Sequence, residues 1–181
     1  MNILDQIRKD KSYSPFNSQQ WFMGKVREMT GGQKVTSMQM LAQNRKQQTT
    51  RIMPGQMMMF VYDPKFKEEL PLYDKFPLLL PFNKDHNSFI GLNLHYLPPM
   101  SRLGLLHKLM EIAKFDKMGA PKNLALTWTF LKTISKQHDV EKCVKRYLNG
   151  HVKSNFIRIE PRDYASAVML PSENFAKKRP W

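Results

Sequence analysis

Asp63, Lys65, Glu68 and Glu69 bring three carboxylates and a lysine together within the segment YDPKFKEELPLYDKFPLLLPF. Paired carboxylates beside a lysine are the chemistry of a metal-dependent nuclease, in which the acids hold a divalent cation and the lysine orients the attacking water. That chemistry needs the acid and the lysine on one face of a strand, but Pro64 lies between them and cannot donate to a strand ladder. The sequence therefore predicts a proline-fixed turn between two strands, which disfavours a nuclease.

The other side chains with catalytic chemistry lack catalytic spacing. The histidines are scattered, and His95 is expected to be a partly buried, hydrogen-bonded side chain on a strand. The single cysteine, Cys143, is expected to pack in the core from a helix face. Glycine-rich phosphate-binding motifs and the GxSxG nucleophile motif are missing from the sequence. We therefore predict a protein that is not an enzyme and that uses no metal or cofactor.

The charge of the chain points to a polyanionic partner. The formal net charge is +14, of which residues 1–50 contribute +5, residues 51–100 contribute zero and residues 101–181 contribute +9. Nucleic acid is the commonest partner of so basic a protein. A basic surface that serves solubility, or that matches an acidic protein neighbour, stays open as the alternative.

The segment EKCVKRY contains the most informative basic cluster. If residues 140–148 form a helix, Lys142, Lys145 and Arg146 share one face of it. With six to eight phosphate contacts, the affinity for DNA falls with salt at a log–log slope of roughly −5 to −7. A solvated helix face is the alternative. The candidate contacts to DNA or to an acidic partner are Lys142, Lys145, Arg146, His151, Lys153, Arg158, Arg162, Lys177, Lys178 and Arg179.

The elements that must position these residues form an α+β pattern. The sequence predicts strands over residues 56–62, 76–82, 88–96 and 155–160, and helices over residues 101–115, from Pro121 to about residue 135, over 140–148 and over 163–168. Leu124, Trp128, Leu131 and either Ile134 or Ser135 are expected on the buried face of the second helix. We expect a small antiparallel sheet of about four strands packed with three to four helices.

Composition divides the chain into three parts. Residues 1–52 are rich in Gln, Met and Arg and predict an extended or partly helical arm that becomes ordered on partners. Residues 53–172 predict a single α+β domain, and residues 173–181 a basic C-terminal tail. No run of apolar residues approaches the ~20 of a membrane helix, so no membrane contact is expected. The candidate partner-binding residues of the arm are Trp21, Phe22, Arg45, Lys46 and Arg51.

Met57, Met58 and Met59 are consecutive in a predicted strand, so their side chains alternate between its two faces. Apolar groups on both faces indicate either a subunit buried in an assembly or a strand covered on both sides by the chain's own arm. Both interpretations stay open, because interfaces and cores share the same composition.

Long strings of the sequence resemble a family of tailed-phage virion proteins. The matching strings are Gly55 with Met57 and FVYDPK at residues 60–65, LPLYDKFPL at 70–78, GLNLHYLP at 91–98, CVKRYL at 143–148, HVKSNF at 151–156 and LPSENF at 170–175. The resemblance covers roughly residues 53–178 and excludes the arm. In T-even-like contractile phages, members are labelled DNA end protector proteins.

The resemblance implies a non-enzymatic virion protein, made in the cytoplasm of the host bacterium, that binds the end of packaged linear double-stranded DNA without sequence specificity. It further implies that the protein shields this end from host exonuclease. The alternative is a purely structural component of the contractile tail, baseplate or neck, whose positive charge faces other virion proteins.

Overall fold

The computed structural model describes residues 48–116, 119–169 and 173–177 and confirms the α+β class. The strands are β1 (Gln48–Thr49), β2 (Met58–Met59), β3 (Leu72–Asp74), β4 (Leu78–Lys84), β5 (Ser88–Asn93), β6 (Val144–Leu148), β7 (Phe156–Arg158) and β8 (Phe175–Lys177). The helices are α1 (Pro99–Ala113), α2 (Leu124–Ile134), α3 (His138–Glu141) and α4 (Tyr164–Met169). Short 3₁₀ turns occupy Leu94–Tyr96, Asn149–His151 and Pro161–Asp163.

Six of these strands form one antiparallel sheet in the order β1-β7-β2-β4-β5-β6, and β3 pairs with β8 in a second, two-stranded sheet. The described sheets thus contain more strands than the four predicted. Of the four additional strands, β1, β3 and β8 have two or three residues each, too few to show an alternating pattern. The predicted extended arm lies almost wholly in residues 1–47, outside the described part of the chain.

Strand β6 replaces most of the helix predicted over residues 140–148, so that prediction is wrong. Helix α3 ends at Glu141, and β6 then pairs with β5 from Leu92↔Val144 to Ser88↔Leu148. Gly91 permits the close approach of β4 on the other side of β5, because a Cβ there would lie 2.7 Å from the carbonyl oxygen of Leu80. Pairing with a neighbour distant in the sequence has overridden the local helical pattern.

Helix α2 corrects a second prediction. Leu131 and Ile134 are buried as expected, but Leu124 is 50% exposed and Trp128 is 40% exposed. Thr127 takes the buried position in their place, donating from its hydroxyl to the carbonyl of Asn123 at 2.8 Å. The sequence pattern alone did not reveal which side of the apolar helix faces the protein.

The main sheet carries apolar clusters on both faces. Met57 and Met59 pack with the core around α1 and α4, whereas Met58 packs with Phe60 and other aromatic side chains on the opposite face. All three methionines are at most 1% exposed within this single chain. The predicted alternation is confirmed, and burial of these side chains needs no second protein.

Arg102 of α1 connects segments that are distant in the sequence. Its fully buried guanidinium donates to the carbonyls of Leu97, at 2.7 Å, and Val168, at 3.2 Å. It also forms an ion pair with Glu173 at 2.6 Å, immediately before β8. Residues predicted to belong to a C-terminal tail therefore contribute a buried ion pair and a strand.

Candidate nucleic-acid interface

A cleft of about 600 Å³ opens between the loop that follows Tyr62 and the edge strand β6. Its described wall combines cationic with aromatic side chains. The cations are Lys65, Lys142, Lys145 and Arg146, and the aromatic rings are Tyr62, Phe66, Tyr73, Tyr96 and Tyr147. Cations bind phosphate oxygens, and aromatic rings offer stacking faces to bases.

The loop over residues 63–71 is built as the turn that the sequence predicted. Asp63 accepts from Lys67 Nζ at 3.2 Å, and its backbone N–H donates to the carbonyl of His151 at 3.1 Å. The carboxylate and the backbone N–H of Asp63 thus both form bonds that hold the loop in place. Pro64 is buried, whereas the ring of Phe66 is 54% exposed and has the ammonium of Lys65 5.1 Å from its centre. The loop holds an aromatic ring and a cation at the edge of the cleft.

Lys145 projects into the cleft over an aromatic ring. Its Nζ lies 4.3 Å from the centre of the Tyr96 ring, a cation–π contact. Burial disfavours the charged ammonium and lowers the pKa of Lys145 below its usual value. A phosphate oxygen bound there would supply the counter-charge that this partly desolvated ammonium lacks.

The other cations of the wall are more open to solvent. Lys142, Arg146 and Lys65 are exposed, and within the described residues no carboxylate forms an ion pair with any of the four cleft cations. The positive potential of the cleft is therefore not neutralised by its described surroundings, which favours an anionic ligand.

A buried polar network forms the floor. Asp74 Oδ2 accepts from His95 Nδ1 at 2.6 Å and from Asn93 Nδ2 at 3.1 Å, and its Oδ1 accepts from the backbone N–H of Phe76 at 3.0 Å. Asn93 Nδ2 also donates to the hydroxyl of Tyr147 at 3.1 Å. These bonds tie β3, β5 and β6 together directly beneath the cleft.

The ionisation of Asp74 depends on this network. Burial alone would raise its pKa, but the interaction with His95 and the hydrogen bonds outweigh burial, so the pKa of Asp74 lies below its ordinary value. The acid on the cleft wall is therefore hydrogen-bonded within the floor and forms no ion pair with the four cleft cations. His95 was expected to be hydrogen-bonded and partly buried on a strand; it is hydrogen-bonded, but fully buried and on a 3₁₀ turn.

The predicted basic cluster of Lys142, Lys145 and Arg146 is present, but it lies on and before strand β6 instead of on a helix. Lys145 and Arg146 are successive residues of an edge strand, not neighbours on a helix face, and Lys142 precedes that strand. All three line the cleft together with Lys65. Cys143 is fully buried, as predicted, although in the turn between α3 and β6, and burial raises the pKa of its thiol to about 11.

The remaining predicted contacts that the structure describes lie outside the cleft wall. His151 donates from Nδ1 to the carbonyl of Asp63 at 2.9 Å, and Lys177 donates to the carbonyls of Glu68 and Leu70, so both support the loop from behind. Lys153 and Arg51 are exposed, and Arg158 is half-buried on β7. Seven further predicted contacts stay predictions, because they lie outside the described residues: Trp21, Phe22, Arg45, Lys46, Lys178, Arg179 and the side chain of Arg162.

Sequence reasoning missed Lys65, Phe66, Tyr73 and Tyr96 as members of this site. The dipeptide Lys65-Phe66 between two prolines was the available signal, because a bulky ring in a rigid, polar turn has little to pack against.

Among the described residues, no group of three or more His, Cys, Asp or Glu side chains could hold a metal ion. None of the described helices is long and apolar enough to cross a membrane.

The α+β fold and the cationic, aromatic cleft define a basic protein with a surface suited to the phosphates and bases of nucleic acid. A family model described as phage T4 terminal DNA protecting protein matches residues 1–180, and the chain belongs to this family. The match begins at residue 1, which corrects the expectation that the arm lies outside the region of resemblance. Searches of curated proteins and of solved structures found no match to this chain.

Proposed function

We propose that this protein binds the end of linear phage DNA and shields it from exonuclease without catalysing a reaction. The observation that carries the proposal is the cleft, in which four cations without described ion-pair partners surround aromatic rings. Phosphates bind the cations regardless of base sequence, so the protein binds any DNA end.

Shielding requires occupancy, not chemistry. An exonuclease must bring the terminal phosphodiester into its own active site, and a protein seated on the last nucleotides excludes it sterically. The same electrostatic contacts keep the protein on the DNA in the virion after its synthesis in the host cytoplasm. The formal charge of +14 strengthens this association at low salt.

Protection can be measured directly with purified protein. Blunt linear duplex is digested by an exonuclease that needs a free end, with and without the protein, and the same DNA closed into a relaxed duplex circle serves as the binding control. We expect protection of the linear DNA, stronger binding to it than to the closed duplex, and loss of both as salt rises. Equal binding to the open and the closed duplex, without protection, would refute the proposal.

A second candidate function has its own observation. Leu124 and Trp128 of α2 are 50% and 40% exposed, and their spacing of four residues places two large apolar side chains next to each other on one face of the helix. Such side chains are typical of a protein contact, and we propose a neighbouring virion protein of the neck, tail or baseplate as the partner.

The two functions are separable by mutation. Leu124→Gln, compared with the equally conservative Leu126→Gln on another face of the same helix, is expected to weaken incorporation into virions while leaving DNA protection intact. Normal incorporation of Leu124→Gln would remove this second candidate.

A further inference from the structure

We propose that the cleft accepts an unpaired terminal nucleotide of the DNA, whose base stacks on Phe66 while its phosphates bind Lys145 and Arg146. The inference rests on the proposed DNA-end function and deepens it. It assigns end recognition to a single-stranded feature of the ligand, whereas the basic surface alone would bind duplex anywhere along its length.

The size of the cleft fits this ligand. At about 600 Å³ it falls within the range of about 300–1,000 Å³ that holds compact organic ligands, a class that includes a nucleotide. A cleft of this size has room for one or two nucleotides splayed out of a helix.

The composition of the wall matches single-stranded nucleic acid more closely than duplex. Sites for single strands combine cations that follow the backbone with aromatic rings on which bases stack. Phe66 offers an accessible ring, at 54% exposure, and Tyr73 is half-buried on the adjoining strand β3. Stacking is tolerant of sequence because every base has a π face, which agrees with end recognition independent of sequence.

The rigidity of the wall also favours stacking. The loop that carries Phe66 is pinned by the Asp63–Lys67 ion pair and by the bonds from His151 and Lys177. Beneath it, Asp74 holds β3 to β5. A preformed ring loses little conformational entropy when a base stacks on it.

End selectivity follows from the cost of exposing a base. A base that is already unpaired is the cheapest to bring into a pocket, whereas an internal base must first break its pair and leave two stacking neighbours. The cleft therefore discriminates an end from the interior of a duplex without reading sequence.

Photo-crosslinking tests this placement. A short duplex carries one unpaired 5-iododeoxyuridine at its terminus, and a matched duplex carries the same base at an internal, paired position. We expect the terminal label to crosslink to the segment over residues 65–73, mapped by mass spectrometry, and the internal label to crosslink far less.

Affinity measurements add a graded test. Because Phe66 is exposed, Phe66→Ala should fold normally, and we expect it to weaken binding to the overhang duplex about 5- to 150-fold, the loss of one base–aromatic stack. Phe66→Trp restores stacking and should restore binding. Binding to the closed circular duplex, which has no unpaired base, is expected to be equal for all three proteins.

The outcomes separate the two proposals. Selective binding of ends with crosslinks outside the cleft, or with unchanged affinity in Phe66→Ala, would overturn the nucleotide pocket and leave the end-binding function standing. Equal binding of linear and closed circular DNA would overturn both.

Discussion

Neutralising two exposed cleft cations should change the salt dependence of DNA binding by a predictable amount. Each phosphate contact contributes about −0.9 to the slope of log affinity against log salt, so four cleft cations contribute a slope of about −3.6. Between 50 and 200 mM salt, that slope weakens binding roughly 150-fold. Replacing Lys142 and Arg146 by glutamine removes two contacts, so the slope contributed by the cleft becomes about −1.8. The same salt change then weakens binding about 12-fold instead of about 150-fold.

Fluorescence anisotropy with a labelled linear duplex, at several salt concentrations, measures both slopes. Lys108→Gln with Lys136→Gln is the matched control, because it changes the net charge equally at exposed positions outside the cleft wall. We expect the control slope to stay close to that of the unmodified protein. Equal slopes for the cleft variant and the control would show that phosphates do not occupy the cleft, and would refute the assignment of these cations.

Three further predictions test the cleft and its support. Burial lowers the pKa of Lys145, so DNA affinity should begin to fall with rising pH below the ordinary lysine value of 10.5, and Lys145→Arg should move that fall upward; identical pH profiles would contradict a role for this ammonium. The pKa of Asp74 lies below its reference value of 3.8, so its ionisation stabilises the fold above about pH 3.8, and this stabilisation is lost as the pH falls through the lowered pKa. In urea denaturation, the free energy of unfolding should therefore fall less between pH 7 and pH 2.5 in Asp74→Asn than in the unmodified protein. An equal fall in both proteins would argue against the network. Gly91→Ala should lower the free energy of unfolding by about 1–3 kcal/mol, because the added Cβ meets the backbone of β4. Gly104→Ala should raise the free energy of unfolding by about 1 kcal/mol, because the space around this residue of α1 is open. Similar effects of the two substitutions would contradict the strand packing.

Predictions from sequence were most accurate where local chemistry is decisive. Pro64 beside Asp63 is sufficient to place a turn, and the turn is present. The strands around Leu78 and Phe89 and the helix after Pro99 were located within a few residues, because their apolar periodicity is strong.

Predictions failed where the choice depended on distant partners. The pattern of residues 140–148 suits a short helix as well as a strand, and pairing with β5, some fifty residues earlier, decides between them. Trp128 has the spacing of a core residue, but the packing of α2 against the sheet and α1 buries Thr127 in its place. Local propensity is a weak guide when burial on either side is possible.

The sequence by itself determined the basic charge, the proline-fixed turn, the alternation of the methionines and the resemblance to phage DNA end protectors. Each of these depends on the composition or the order of the chain, and none requires knowing which distant residues meet in the fold. Only the tertiary structure decided that Lys65 and Phe66 lie opposite Lys145 and Arg146 in one cleft, because about eighty residues separate the two pairs. Strand pairing in the sheet and the bonds of Asp74 bring them together, and no local pattern encodes that meeting.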